Sequence, residues 1–129
     1  GKDDDVVKTI RAATDGRGVD NSCEFSGSPA ALSNAIHSTR MGGYVNILSV
    51  YGHTMTEIPM NEVVFRYLHL KGINGRKMWS TWDKMHVLLE QGSIDVARIL
   101  THRMPVSDFK QGIALALSGE CGKVVLDFD

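Results

Sequence analysis

His37, His53, His69, His86 and His102 are the side chains best suited to metal ligation or proton transfer in this chain of 129 residues. They stand far apart, on stretches that read as different elements. Metal sites need His, Cys or carboxylates at short fixed offsets, and neither His-Glu-x-x-His nor Cys-x-x-Cys occurs. A zinc site made by this chain alone is therefore not expected, and no catalytic residue is assigned. His102, in Thr101-His102-Arg103, follows an apolar run and has polar flanks, and reads best as a hydrogen-bonded structural histidine. Nucleophile patterns are thin as well. Ser26-Gly27-Ser28 lacks the spacing of a Gly-x-Ser-x-Gly elbow. Cys23 falls inside a strand-like run and reads as a packed thiol. Gly16-Arg17-Gly18 precedes a strand instead of following one, and position 21 is Asn, so it reads as a turn and not as a phosphate cradle. Trp79 and Trp82 read as one core and one interface residue, with stacking on a ring as the alternative.

One constellation has the right placement for binding. Ser26-Gly27, Leu48-Ser49-Val50 and Ile73-Asn74 each close a strand-like run. If those strands are parallel and adjacent, the three tips line one crevice. Main-chain N–H and C=O groups there can hold a flat polar ring, and the small Ser26 and Gly27 let it come close. The competing reading is that strands must end somewhere and small residues suit turns.

The elements that would position these tips follow from the apolar pattern. Val6, Val7, Ile10 and Ala13 have helical spacing, with Asp3, Asp4 and Asp5 at the positive end. Asp15 to Gly18 is a turn, and Val19 to Ser26 a strand. Ser28-Pro29 supplies a cap and first-turn proline for a helix through Thr39, stopped by Gly42-Gly43. Tyr44 to Val50 is a nearly continuous apolar run, expected for a buried parallel strand. A loop is expected from Thr54 to Pro59, then a short helix capped by Asn61 through Tyr67, then a strand from Leu68 to Ile73. Ser80 to Gln91 reads as a helix burying Trp82, Met85, Leu88 and Leu89, with Gly92 as its stop. Ile99-Leu100 looks extended. Ser107 caps a helix to Ser118, and Lys123 to Phe128 is a last strand with Val124, Leu126 and Phe128 on one face. Such alternation favours an α/β fold with a mostly parallel sheet and right-handed crossovers. Three parallel strands make a narrow sheet, whose missing strands are expected on another piece of chain or another subunit.

Composition narrows the classes. An apolar content of 43% supports a core. A formal net charge of −1 gives no overall pull toward nucleic acid or anionic lipid. Cys23 and Cys121 allow one disulfide by parity, but reduced thiols in a cytoplasmic protein fit better. No apolar run approaches the roughly 20 residues of a membrane-spanning helix. The opening Gly1-Lys2-Asp3 resembles no signal peptide, and its lack of Met is expected either from a start further upstream or from a trimmed Met or tag remnant.

The run from Lys71 to Trp82 joins an apolar strand to an aromatic-rich helix through Gly72-Ile73-Asn74-Gly75-Arg76 and Met78-Trp79-Ser80-Thr81-Trp82. With Asp15-Gly16-Arg17-Gly18-Val19-Asp20, Ser26-Gly27-Ser28-Pro29, Ile99-Leu100-Thr101-His102-Arg103 and the ending Ser118 to Leu126, it resembles the C-terminal part of zinc-dependent L-threonine 3-dehydrogenase. Several of these marks recur across medium-chain zinc dehydrogenases; Gly-Arg-x-Met-Trp-x-Thr-Trp points to the threonine enzymes. The resemblance implies the second half of a Rossmann-type doubly wound parallel sheet over residues 1–129. Residues from about 99 to 129 would return toward a GroES-like catalytic domain outside this chain. It implies NAD as cofactor and L-threonine as substrate of the parent enzyme. Zinc would be held by ligands upstream of Gly1, as would the glycine fingerprint and the acidic ribose-binding residue. A homotetramer is implied, assembled partly through the edge strand at about Leu68 to Ile73. Carried over, Leu48, Ser49, Val50, Ile73 and Asn74 would contact the nicotinamide end of NAD, with Ser26 and Gly27 along the cofactor. Ser49 stands where the family commonly has Gly, and Asn74 where it often has Thr or Tyr. Asn21 and Ser22 replace apolar residues in a strand expected to be central, where unpaired they would cost a few kcal/mol.

Overall fold

The computed structural model describes residues 5–52 and 56–128. Asp3, Asp4, His53 and the start of the expected 54–59 loop lie outside the described residues. Two compact units, Gly1–Gly75 and Arg76–Asp129, divide the chain.

In the first unit, α1 (Val6–Ala12) starts at Asp5, whose carboxylate accepts the Lys8 N–H at 3.0 Å. This satisfies one of the donors that every helix start leaves open. Then come β1 (Val19–Glu24), α2 (Pro29–Ser38), β2 (Thr39–Ile47), α3 (Met60–Phe65) and β3 (His69–Gly72). The strands form one parallel sheet in the order β1-β2-β3. Pairing Ser22 with Val45 and Val45 with Leu70 puts these three on one face. Leu32 and Ile36, one helical turn apart on α2, cover that face and are buried with Val45 and Leu68. Ala35, Ile47, Tyr51, Val63 and Leu70 pack around them. The expected α/β order and parallel sheet are therefore present.

Several local expectations are corrected. Gly42-Gly43 do not end α2, which stops at Ser38 and turns directly into β2. Thr39 is the reason: it is β-branched, fully buried, and its hydroxyl donates to the Ala35 carbonyl at 2.7 Å. The two glycines instead form a bulge in β2, where pairing jumps from Val19–Thr39 to Asn21–Tyr44. A Cβ on Gly43 would sit 2.9 Å from the Asp20 carbonyl oxygen, so the bulge needs glycine there. β1 lies at an edge of this sheet. Asn21 is exposed, and the Ser22 hydroxyl pairs with that of Thr39 at 2.8 Å, so within this chain neither is a buried polar group without a partner. Cys23 is exposed, not packed, because alternation along β1 turns it away from the α2 face. The same alternation leaves Tyr44 open to solvent, where it stacks on His69 of β3 with ring centroids 4.5 Å apart. β2 is thus not buried on both faces within this unit. Asn61 lies inside α3, which follows Pro59.

The second unit holds α4 (Ser80–Glu90), a 3₁₀ turn (Val96–Ile99), β4 (Leu100–Pro105), a second 3₁₀ turn (Val106–Asp108), α5 (Phe109–Ser118) and β5 (Lys123–Asp127). β4 and β5 pair in parallel, joined by α5, and Arg103 bonds Asp127 across them at 2.6 Å. Ile99 falls in the turn, so only Leu100 of the expected extended pair enters the strand. Ser107 bonds Asp108 and does not cap α5. The expected burial of Trp82, Met85, Leu88 and Leu89 is not found: all four are exposed, as are Trp79 and Phe128. An apolar stripe of helical period only requires a covering layer, and none lies over these side chains within this unit. Arg76 instead places its guanidinium 5.0 Å from the centre of the Trp82 ring. Among the described residues, no helix is long and apolar enough to cross a membrane.

Candidate functional site

Parallel strands in adjacent register end at the same edge of a sheet. Here Glu24 pairs with Ile47, and Ile47 with Gly72. The Leu48 N–H donates to the Glu24 carbonyl and the Ile73 N–H to the Ile47 carbonyl, each at 2.9 Å. Ser26-Gly27, Leu48-Ser49-Val50 and Ile73-Asn74 are thereby brought to one edge, side by side. The first two tips touch. Gly27 has φ +72°, and a Cβ added to it would lie 2.7 Å from the Val50 carbonyl oxygen. Leu48 and Val50 present apolar side chains to solvent, while Ser49 and Ile73 are half-buried.

Beneath these tips lies a group absent from the sequence-based candidates. Glu24, the last residue of β1, is only 3% exposed. Its Oε1 accepts the Ser26 hydroxyl at 2.6 Å and the Ser26 and Gly27 N–H groups at 2.7 and 3.1 Å. Its Oε2 accepts the Tyr51 hydroxyl at 2.7 Å and the Ser49 hydroxyl. One carboxylate therefore joins the turn after β1 to the segment after β2. Burial alone would raise its pKa, but the bonds from Ser26, Ser49 and Tyr51 favour the charged form more strongly, holding it down at about 2. Burial and the adjacent carboxylate push the Tyr51 phenol up. The available sequence signal was the alternation that places Ser22 and Glu24 on the α2 face: an acid there, followed by Ser-Gly, must find donors.

The clasp changes what the tips can offer. The amides of Ser26, Gly27, Leu48 and Ile73 all donate within the chain. They are not spare donors, so carbonyl oxygens, side chains and shape carry any recognition by these residues.

A pH dependence follows. A carboxylate whose pKa is lowered on folding contributes stability above its unfolded value, here 4.5, and loses it as pH falls toward the folded value of about 2. Acid titration followed by circular dichroism should show the folded state weakening across that window. Glu24→Gln, with no charge to lose, should show a flatter profile there; equal slopes would refute the assignment.

Residues 1–91 match the model of a family described as zinc-binding dehydrogenase. The chain belongs to the zinc-binding dehydrogenase family. Over 123 residues, or 95% of the chain, it is 42% identical to L-threonine 3-dehydrogenase of Bacillus subtilis (strain 168), of which it covers 35%. Among solved structures, an alcohol dehydrogenase from Thermus sp. ATN1 superposes with a TM-score of 0.85 at 26% identity. That match covers 99% of this chain and 38% of the other. The 2R,3R-butanediol dehydrogenase of Bacillus subtilis gives 0.77 at 29% identity, covering 95% of this chain and 35% of the other. The chain thus spans little more than a third of the length of these relatives.

Dehydrogenases of this family imply a dinucleotide and a metal. At the tips, the missing Cβ of Gly27 is what lets the Val50 carbonyl close in, beside the apolar surfaces of Leu48 and Val50. Zinc does not fit the residues in hand, since no three His, Cys, Asp or Glu side chains converge among the described residues.

Proposed function

We propose that this chain supplies the nicotinamide side of the cofactor crevice of an NAD-dependent L-threonine 3-dehydrogenase. The parent reaction is L-threonine plus NAD giving 2-amino-3-oxobutanoate plus NADH. The observation that carries this reading is the line of three parallel strand tips tied by backbone hydrogen bonds from Glu24 to Leu48 and from Ile47 to Ile73. NAD, when bound, would supply the acceptor for the hydride from C3 of threonine, the hydroxyl proton being released to solvent. The chain's own task is placement. Leu48, Val50 and Ile73 offer apolar surface against the ring, Ser49 and Asn74 polar groups at its rim, and Ser26 and Gly27 the close approach.

Titrating the 129-residue chain with NADH by amide NMR tests this. Weak binding in the millimolar range is expected, with shifts concentrated at Ser26, Gly27, residues 48–50 and residues 73–74, and no threonine oxidation by this chain alone. Shifts centred on α4, or none at millimolar NADH, would overturn the reading. The likeness to a butanediol dehydrogenase favours a second reading, in which the parent acts on another alcohol or polyol. A product assay of the parent enzyme on threonine and butanediol separates the two. Self-association through β3, an edge strand of its sheet, and a cytoplasmic setting belong to the same proposal. Sedimentation of a stable monomer would count against the pairing.

A further inference from the structure

We propose that Glu24 is the positioning residue of the crevice: its carboxylate sets the separation of the first two strand tips and so the affinity for the nicotinamide ring. The inference rests on the cofactor reading above, but its geometry is independent of it. Ser26 is placed by Oε1 of this carboxylate, Gly27 by Oε1 with a longer bond to Oε2 at 3.3 Å, and Tyr51 and Ser49 by Oε2. Nothing else described ties Ser26 to the segment after β2. Gly27 in turn abuts the Val50 carbonyl, so a shift of Ser26-Gly27 is passed to Val50. Among the described residues no lysine, arginine or histidine forms an ion pair with Glu24. Every donor described on the carboxylate is neutral: Ser26, Gly27 and Ser49 belong to the two tips, and Tyr51 follows the second directly.

Glutamine discriminates well here. Its carbonyl can still accept from Ser26 and Gly27, whose N–H groups cannot reverse. Its amide must then face Ser49 and Tyr51, whose hydroxyls can turn to accept. Glu24→Gln therefore keeps the fold while weakening and lengthening the link between tips. Tyr51→Phe removes one donor from the same link without touching the carboxylate or any residue assigned to the ring.

Reduced nicotinamide mononucleotide, the ring half of the cofactor, is the probe. Its Kd and the unliganded hydrogen exchange of the Ser26 and Gly27 amides are to be measured in the 129-residue chain, with thermal melting alongside. For Glu24→Gln, a five- to tenfold weaker Kd and at least tenfold faster exchange at those amides are expected, with exchange in α2 unchanged; for Tyr51→Phe, a two- to threefold weaker Kd. A lower melting temperature with Kd unchanged in both folded variants would reduce Glu24 to a structural role and overturn the proposal. If the unmodified chain does not bind the mononucleotide, the cofactor reading fails and the affinity claim with it. The exchange data then still report whether the carboxylate holds the tips. Should Glu24→Gln fail to fold, an unchanged Kd in Tyr51→Phe overturns the proposal by itself.

Discussion

Glu24→Ala is expected to lower the unfolding free energy of the Gly1–Gly75 unit by roughly 3 kcal/mol, against about 1 kcal/mol for Glu24→Gln. The asymmetry comes from what is left behind. Alanine removes the shared acceptor of two fixed N–H groups and three hydroxyls gathered about one buried carboxylate. A net hydrogen bond to a charged group contributes about 1.5–3 kcal/mol, and each buried donor left unmatched adds about 1–3 kcal/mol. Water reaches part of the gap, because Ser26 is exposed, which keeps the loss well below the sum. Urea melts at pH 7 followed by circular dichroism measure it. A loss under about 0.5 kcal/mol would mean the clasp is solvated and contributes little.

That carboxylate also marks where the sequence stops being legible. The strand tips could be read because a parallel strand advertises itself: Tyr44 to Val50 is a nearly continuous apolar run, and Leu68 to Ile73 is a strand-like run closed by Asn74. Their adjacency remained a condition, which strand–helix alternation favours because right-handed crossovers leave few orders for three strands. What could not be read were the choices made by tertiary contact. Gly42-Gly43 look like a helix stop until Thr39 is seen buried against the Ala35 carbonyl. Cys23 reads as packed and Asn21 as costly, yet both are exposed in this chain, where β1 is an outer strand of its sheet. Trp82, Met85, Leu88 and Leu89 spell a buried face, and in this chain they are exposed. An acid in a strand, such as Glu24, is as compatible with a solvated face as with a buried one. Only the register that sets it beside Ile47, over the α2 side, shows that it must be buried and fully bonded.

Gly27→Ala should damage binding more than its cost in stability suggests. Two penalties fall on that residue. At φ +72° an L side chain sits in the left-handed region, which costs roughly 1–2 kcal/mol. The new Cβ would also lie 2.7 Å from the Val50 carbonyl oxygen, a contact that backbone must yield to relieve. Gly16→Ala isolates the first penalty, because Gly16 has φ +77° and nothing within 4 Å of its would-be Cβ. Gly16→Ala should therefore lose about 1 kcal/mol and leave affinity for reduced nicotinamide mononucleotide unaltered. Gly27→Ala should lose about 2–3 kcal/mol and bind at least tenfold more weakly, since relief of the clash displaces Val50, a residue proposed to lie against the ring. The comparison is decisive in either direction. If both alanine variants lose the same stability and keep the same Kd, the approach of Gly27 to Val50 has slack, and the crevice does not depend on the missing side chain.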